Sequence, residues 1–234
     1  EAWSVGIEPP GANLLKNGIL KTSVSGPRIP DGWQLEQHAD CRASVSSRRY
    51  RSRDALRIEV EKADQTNWHL QFKQGGLPVE AGRYYTVTFE AAADRSRKLD
   101  CGVSQAHEPW QNLGLSQEAD LTQQWRTFRF GFVPKADDKD ARLSFAFSGS
   151  DAAFYLANVQ FHPGGRTGLV KHESIRDGSV AVYADNEGPC RTLDRMRFLA
   201  ETEKSYFDDM RSFIRNDLGC EALVTGTIVF GPLG

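Results

Sequence analysis

Tyr84-Tyr85-Thr86-Val87-Thr88-Phe89-Glu90-Ala91 decides the fold. Tyr85, Val87, Phe89 and Ala91 alternate with Tyr84, Thr86, Thr88 and Glu90. A period of two sends successive side chains to opposite faces of a strand, so this segment buries one face and wets the other. The pattern repeats on both sides of it. Leu56, Ile58 and Val60 alternate with Arg57, Glu59 and Glu61, and Leu70 and Phe72 alternate with His69, Gln71 and Lys73. Phe128, Phe130 and Phe132 alternate with Thr127, Arg129 and Gly131, and Leu143, Phe145 and Phe147 with Arg142, Ser144 and Ala146. Turn-formers separate the runs at Gly75-Gly76, Glu80-Ala81-Gly82, Pro134 to Asp140, and Gly149 to Asp151. Many short strands with no helix between them predict a mainly β chain, an antiparallel β-sandwich of the jelly-roll kind.

Further on, the period changes. Residues 162–191 read as a polar connector that contains Pro163-Gly164-Gly165 and Gly188-Pro189. Phe198, Leu199, Tyr206, Met210, Phe213, Ile214 and Leu218 then recur at steps of three and four, the stripe of a helix. Thr192 is placed as its N-cap and Gly219 as its C-terminal cap glycine. The run Ala222 to Phe230 is almost continuously apolar, as in a parallel strand buried on both faces. A helix followed by such a strand is part of an α/β unit, and one such part cannot cover its own apolar surface.

Bulk properties narrow the function classes. The 234 residues are 39% apolar, with a mean hydropathy of -0.51 and a net charge of -2. Neither nucleic acid nor an anionic membrane is expected as a partner, since both select a basic face. The one basic cluster, Arg48-Arg49-Tyr50-Arg51-Ser52-Arg53, reads as a solvated loop. No apolar stretch approaches the ~20 residues of a membrane helix. Cys41, Cys101, Cys190 and Cys220 are scattered without metal-ligand spacing, so no zinc site is read from them. Their disulfide state stays open.

Asn13-Leu14-Leu15-x-Asn17-Gly18 followed by Trp33 resembles the opening of the family 4/9 type of carbohydrate-binding module. Ala55-Leu56-Arg57-Ile58, Trp68-x-Leu70-Gln71-Phe72, Gly82-x-x-Tyr85-x-Val87-x-Phe89-x-Ala91 and Pro109-Trp110 continue the resemblance. So do Trp125-x-x-Phe128, Arg142-Leu143-x-Phe145 and the closing Asn158-Val159. It implies a jelly roll over residues 12–163 that binds a single polysaccharide chain of the β-glucan or xylan class, outside the cell or in the periplasm. The flanking parts resemble pieces of a glycoside hydrolase (β/α)₈ barrel. By that resemblance residues 1–11 are a remnant of the flanking domain, 164–191 a linker and 192–234 a helix-strand fragment of the barrel. The chain is then an internal segment of a longer hydrolase, and the barrel is a partner of the module.

Many such modules hold a structural calcium ion with an acidic residue near the start and an aspartate in the last strand. Leu20 and Ala157 stand at those places here. A hard cation selects carboxylate oxygens, so no calcium, and no other cofactor, is expected.

A sugar ring presents an apolar C–H face and a rim of hydroxyls. It calls for an aromatic plate beside planar side chains that donate and accept hydrogen bonds. Trp68, His69 and Gln71 form one candidate group, and Gln105, His107 and Trp110 another. Trp68 is balanced between the core face it would share with Leu70 and Phe72 and a start just outside the strand that would free it. Trp33 and Trp125 are assigned to packing, and Arg57 and Arg142 to the surface, where a ligand clamp is the rarer role. Glycosidases need two carboxylates at set spacing. Glu187 in a loop and Glu201 and Glu203 in the helix do not supply them, so the segment alone is read as non-catalytic. The alternatives are an enzyme in its own right and a sandwich that only packs against the barrel.

Overall fold

The computed structural model describes residues 8–22, 29–166, 168–169, 173–180 and 189–223. The chain divides into two compact units, residues 6–167 and 168–234.

The first unit is a sandwich of two five-stranded antiparallel sheets. One sheet runs β1 (Gln34–Gln37), β4 (Leu70–Val79), β9 (Asp138–Ala146), β6 (Arg97–Gln105) and β7 (Asn112–Leu121). The other runs β2 (Arg42–Tyr50), β3 (Arg53–Lys62), β10 (Phe154–Pro163), β5 (Tyr85–Ala93) and β8 (Arg126–Phe132). The alternation read from sequence fixes the inner faces. Leu56, Ile58, Leu70, Phe72, Val87, Phe89, Leu143 and Phe145 are all fully buried. Phe89 and Phe145 meet across the two sheets with ring centroids 5.0 Å apart. Trp33 stacks on Phe72 at 4.7 Å and is buried, which is the packing role expected of it. Trp125 sits at the edge of the second sheet and donates its indole N–H to the Tyr50 carbonyl at 3.1 Å.

The opening motif, Asn13 to Gly18, is the clasp that joins this segment to β10. Asn13 Oδ1 accepts the N–H groups of Leu15 (3.2 Å) and Phe161 (2.9 Å). Gly18 accepts the Val159 N–H at 2.8 Å, where β10 bulges beside Asn158. A Cβ at Gly18 would lie 2.1 Å from the Val159 carbonyl oxygen, so only glycine fits.

Four local readings change. Gly75-Gly76 does not separate strands but forms a bulge inside β4. Gly76 takes a φ of 72°, and its N–H is bonded by Asp140 Oδ1 at 2.9 Å. The Arg48–Arg53 cluster is a hairpin rather than a loop. Only Arg51 and Ser52 lie between β2 and β3, both with positive φ, as a tight turn between twisted strands requires. Thr86, read as outward, is buried because the Gly164-Gly165 segment lies over it, and its hydroxyl donates to the Gly164 carbonyl at 2.8 Å. In the second unit the helix α1 spans Pro189–Ser212, so Pro189 opens it and Thr192 lies inside it. Proline suits the first turn, where its missing N–H would have no partner in any case.

Helix α1 continues into a π-helical turn, Phe213–Asp217, and Gly219 follows with a φ of 62° as the expected cap. Arg191 is paired with Glu173 at 2.9 Å and donates to the Gly168 carbonyl at 2.9 Å. Phe198, Tyr206 and Leu218 of the apolar stripe are exposed. The apolar strand read over Ala222 to Phe230 falls almost wholly on residues outside those described.

Candidate functional site

The outward face of the first sheet builds a groove. Register places Glu36 opposite Gln71 and Gln34 opposite Lys73 across β1 and β4. Gln71 and Lys73 in turn face Ala146 and Ser144 on β9, and Ser144 and Arg142 face Gly102 and Ser104 on β6. The small residues Ala146, Ser144 and Gly102 keep the floor low. Glu36, His38, Trp68, Gln71, Lys73, Trp110 and Arg142 line a concavity of about 720 Å³.

Trp68 stands at one wall because it precedes the strand. It sits in a single 3₁₀ turn, Asn67–His69, and therefore escapes the alternation that buries Leu70 and Phe72. The turn is tied down on several sides. The Asn67 carbonyl accepts the Ser148 N–H at 3.0 Å, Asn67 Nδ2 donates to Asp100, and Gln71 Nε2 donates to the Trp68 carbonyl at 2.9 Å. The rings of His69 and His38 meet the indole edge-on at 4.4 and 5.2 Å. Trp68 keeps 54% of its surface exposed.

Trp110 stands on the loop between β6 and β7, 50% exposed. Its φ of 61° is left-handed, a conformation that costs a bulky residue about 1–3 kcal/mol and that persists only where the surroundings impose it. Here the loop is closed by backbone and side chain together. Gln105 N–H donates to the Gln111 carbonyl at 3.0 Å, Gln105 Oε1 accepts the Gln111 N–H at 3.1 Å, and the Trp110 N–H reaches the His107 carbonyl at 2.8 Å. The Arg142 guanidinium lies 5.3 Å from the Trp110 ring centroid, with its Nε donating to Ser104 Oγ at 3.1 Å.

The charges inside the groove are largely paired. Glu36 meets the Lys73 ammonium, His38 Nε2 at 2.7 Å and, at 3.5 Å, Gln71 Nε2. Burial pushes Lys73 below the usual lysine range, helped by the like charge of Arg142, and burial also lowers Arg142. His107 lies outside this lining. Its Nδ1 contacts the Glu108 carbonyl at 2.7 Å and its Nε2 the buried Asp138 carboxylate at 3.2 Å. With an acceptor on each ring nitrogen the imidazolium is favoured. The pKa is raised, first by the Glu108 carbonyl, with burial opposing it and the charge and hydrogen bond of Asp138 adding to the rise.

Of the six residues singled out from sequence, Trp68, Gln71 and Trp110 come together in one groove. His69, Gln105 and His107 sit beside it with their polar atoms engaged by Asp64, the Gln111 backbone, and Glu108 with Asp138. Glu36, His38 and Lys73 were not singled out. Lys73 had the same outward phase as Gln71, whereas Glu36 and His38 enter only through the pairing of β1 with β4.

The place where the family resemblance implies calcium does not fit a hard cation here. Leu20 and Ala157 are apolar and buried, and Asn13 Oδ1 already accepts two backbone N–H groups. Cys41 and Cys101 are free buried thiols and Cys220 a free exposed one. No described helix is long and apolar enough to cross a membrane.

A family model described as "Carbohydrate binding domain" matches residues 13–152. Among solved structures, a CBM4 structure is 25% identical and superposes with a TM-score of 0.55, covering 63% of this chain and 98% of its own. The N-terminal cellulose-binding domain of Cellulomonas fimi β-1,4-glucanase C is 20% identical with a TM-score of 0.45, covering 58% of this chain and 91% of that one. The second such domain of the same enzyme is 16% identical with a TM-score of 0.47, covering 71% and 100%. No curated protein sequence matches the chain.

Proposed function

This chain belongs to the carbohydrate binding domain family, and we propose that its groove binds a polysaccharide chain of the β-glucan or xylan class without cleaving it. The observation that carries this reading is the pair of half-exposed tryptophans, Trp68 and Trp110, standing on one groove whose floor offers amide, ammonium, carboxylate and guanidinium groups. The indoles take the C–H faces of the sugars, and Gln71, Lys73 and Arg142 meet their hydroxyls. His69, Gln105 and His107 act by holding the two indoles in place. Among the described residues that line the groove, Glu36 is the one carboxylate, whereas hydrolysis of a glycosidic bond uses two.

The module is further proposed to serve a glycoside hydrolase, with the second unit as part of that enzyme's barrel. The exposed apolar stripe of α1, which includes Phe198, Leu199 and Tyr206, supports this, since such a stripe is normally covered by neighbouring elements. An extracellular or periplasmic site of action follows from a polysaccharide ligand. Calorimetric titration with soluble β-glucan, xylan, mannan and galactan oligomers tests the binding. Saturable heat with a β-glucan or xylan is expected. Flat traces for all four with folded protein remove the proposal, and hydrolysis of an aryl glycoside by the purified chain replaces it with a catalytic one.

A further inference from the structure

Three side chains from distant parts of the sequence converge behind Trp68. Cys41 opens the approach to β2 and is buried, with 2% of its surface exposed. Asp64 lies between β3 and the 3₁₀ turn, and His69 ends that turn. The thiol sulfur, a carboxylate oxygen and a ring nitrogen all lie within 4.8 Å of one another. His69 Nδ1 is 2.6 Å from Asp64 Oδ2, and Ser148 Oγ is 3.5 Å from Cys41 Sγ and 3.2 Å from Asp64 Oδ1. We propose that Cys41, Asp64 and His69 form a binding site for a borderline-soft divalent cation of the zinc class, with Ser148 Oγ or a water molecule as the fourth ligand.

The donor set chooses the metal. A thiolate with an imidazole and one carboxylate favours zinc or cobalt over calcium or magnesium, which take oxygen ligands. Metal–ligand bonds of about 2.0–2.3 Å in a tetrahedron put ligand atoms roughly 3.3–3.8 Å apart. The spacing here needs only small side-chain shifts, the main one being for His69 and Asp64 to part and admit the ion between them.

The arrangement is also held in place before any ion arrives. The His38 N–H donates to the His69 carbonyl at 2.8 Å and the Cys41 N–H to the His38 carbonyl at 3.1 Å, so the backbone fixes two ligands relative to each other. Asp64 Oδ1 accepts the Thr66 N–H at 2.9 Å and lies near the Ser148 hydroxyl, the kind of outer support that orients a ligating carboxylate. Access exists as well. The Asp64 and His69 side chains are 39% and 18% exposed, while the thiol lies on the inner side. None of these residues belongs to the Asn13–Leu20 and Ala157 region where the family resemblance implies calcium.

The test needs no carbohydrate. Metal-stripped full chain is titrated with cobalt chloride and followed by absorption. A saturable sulfur-to-cobalt charge-transfer band in the near ultraviolet is expected, displaced by zinc chloride. The Cys41→Ala variant loses the band, the His69→Ala variant weakens cobalt affinity by about tenfold or more, and the Cys220→Ser variant keeps both. Should Cys41→Ala fail to fold by circular dichroism, the His69→Ala titration decides alone. Absence of the band in folded protein at large cobalt excess overturns the proposal. A band that survives Cys41→Ala, or an affinity untouched by His69→Ala, also overturns it.

Discussion

Replacing Trp68 by alanine removes a plate that the folded protein leaves half uncovered. A tryptophan side chain presents roughly 200 Å², of which 54% is exposed in Trp68 and 50% in Trp110. Covering about 100 Å² of apolar surface at ~25 cal/mol/Å² is worth ~2.5 kcal/mol at most. A sugar ring covers one face of the indole and leaves part of the rest wet, so ~1–2 kcal/mol is the realistic share, a loss of roughly 5–30-fold in affinity. Trp110→Ala should lose about as much, and because alanine keeps a Cβ the left-handed strain at that position remains, so no gain in stability is expected from it. The two walls belong to different loops, so the double variant should lose nearly the product of the two factors. Isothermal titration of wild type, both single variants and the double variant with the tightest-binding oligomer measures this, with thermal unfolding as the control. Unchanged affinity in the double variant, with the fold intact, refutes the groove as the binding surface.

The raised pKa of His107 makes the Trp110 loop sensitive to pH. Protonated in the fold more readily than in the unfolded chain, His107 adds stability that is fully present below its ordinary value of 6.5 and is lost as pH rises through the raised folded value. Wild type should therefore lose part of its advantage in unfolding temperature over His107→Gln as pH rises across that window, and a constant difference would remove the effect. Trp33→Ala empties a buried site stacked on Phe72 and should cost about 3–5 kcal/mol, read as a lower urea midpoint with an unchanged slope. Gly18→Ala drives a methyl against the Val159 carbonyl and should cost about 1–3 kcal/mol by the same assay.

The sandwich was legible because burial on one face writes a period of two directly into the sequence. Leu143, Phe145 and Phe147 could be assigned to the core by phase alone, and all three are fully buried. Backbone geometry left a weaker mark. Gly75-Gly76 reads as a turn because glycine marks turns and bulges alike, and only the pairing of β4 with β9 tells them apart. Trp68 was undecided for a similar reason. A single 3₁₀ turn before β4 moves an aromatic from the core to the surface, and the sequence around Thr66-Asn67-Trp68 carries no strong signal for where the strand begins.

What sequence could not reach was the company each residue keeps across strands. Glu36 and Gln71 are 35 positions apart and touch only because β1 pairs with β4, and Arg142 meets Trp110 only because β9 lies beside β6. This cross-strand company bears on the ligand. Glu36 is met by Lys73 and His38, so these groups are spent largely on one another, while Arg142 lies over the Trp110 ring and bonds the Ser104 hydroxyl. A groove of that kind offers hydrogen-bonding groups in fixed positions. A neutral chain gains from it, because its hydroxyls can join bonds already formed without bringing a charge that must be compensated. A polyanionic chain would have to break the Glu36–Lys73 pair to use the lysine, and would leave the partly buried Glu36 carboxylate with only His38 and Gln71, which offsets what the new contact returns.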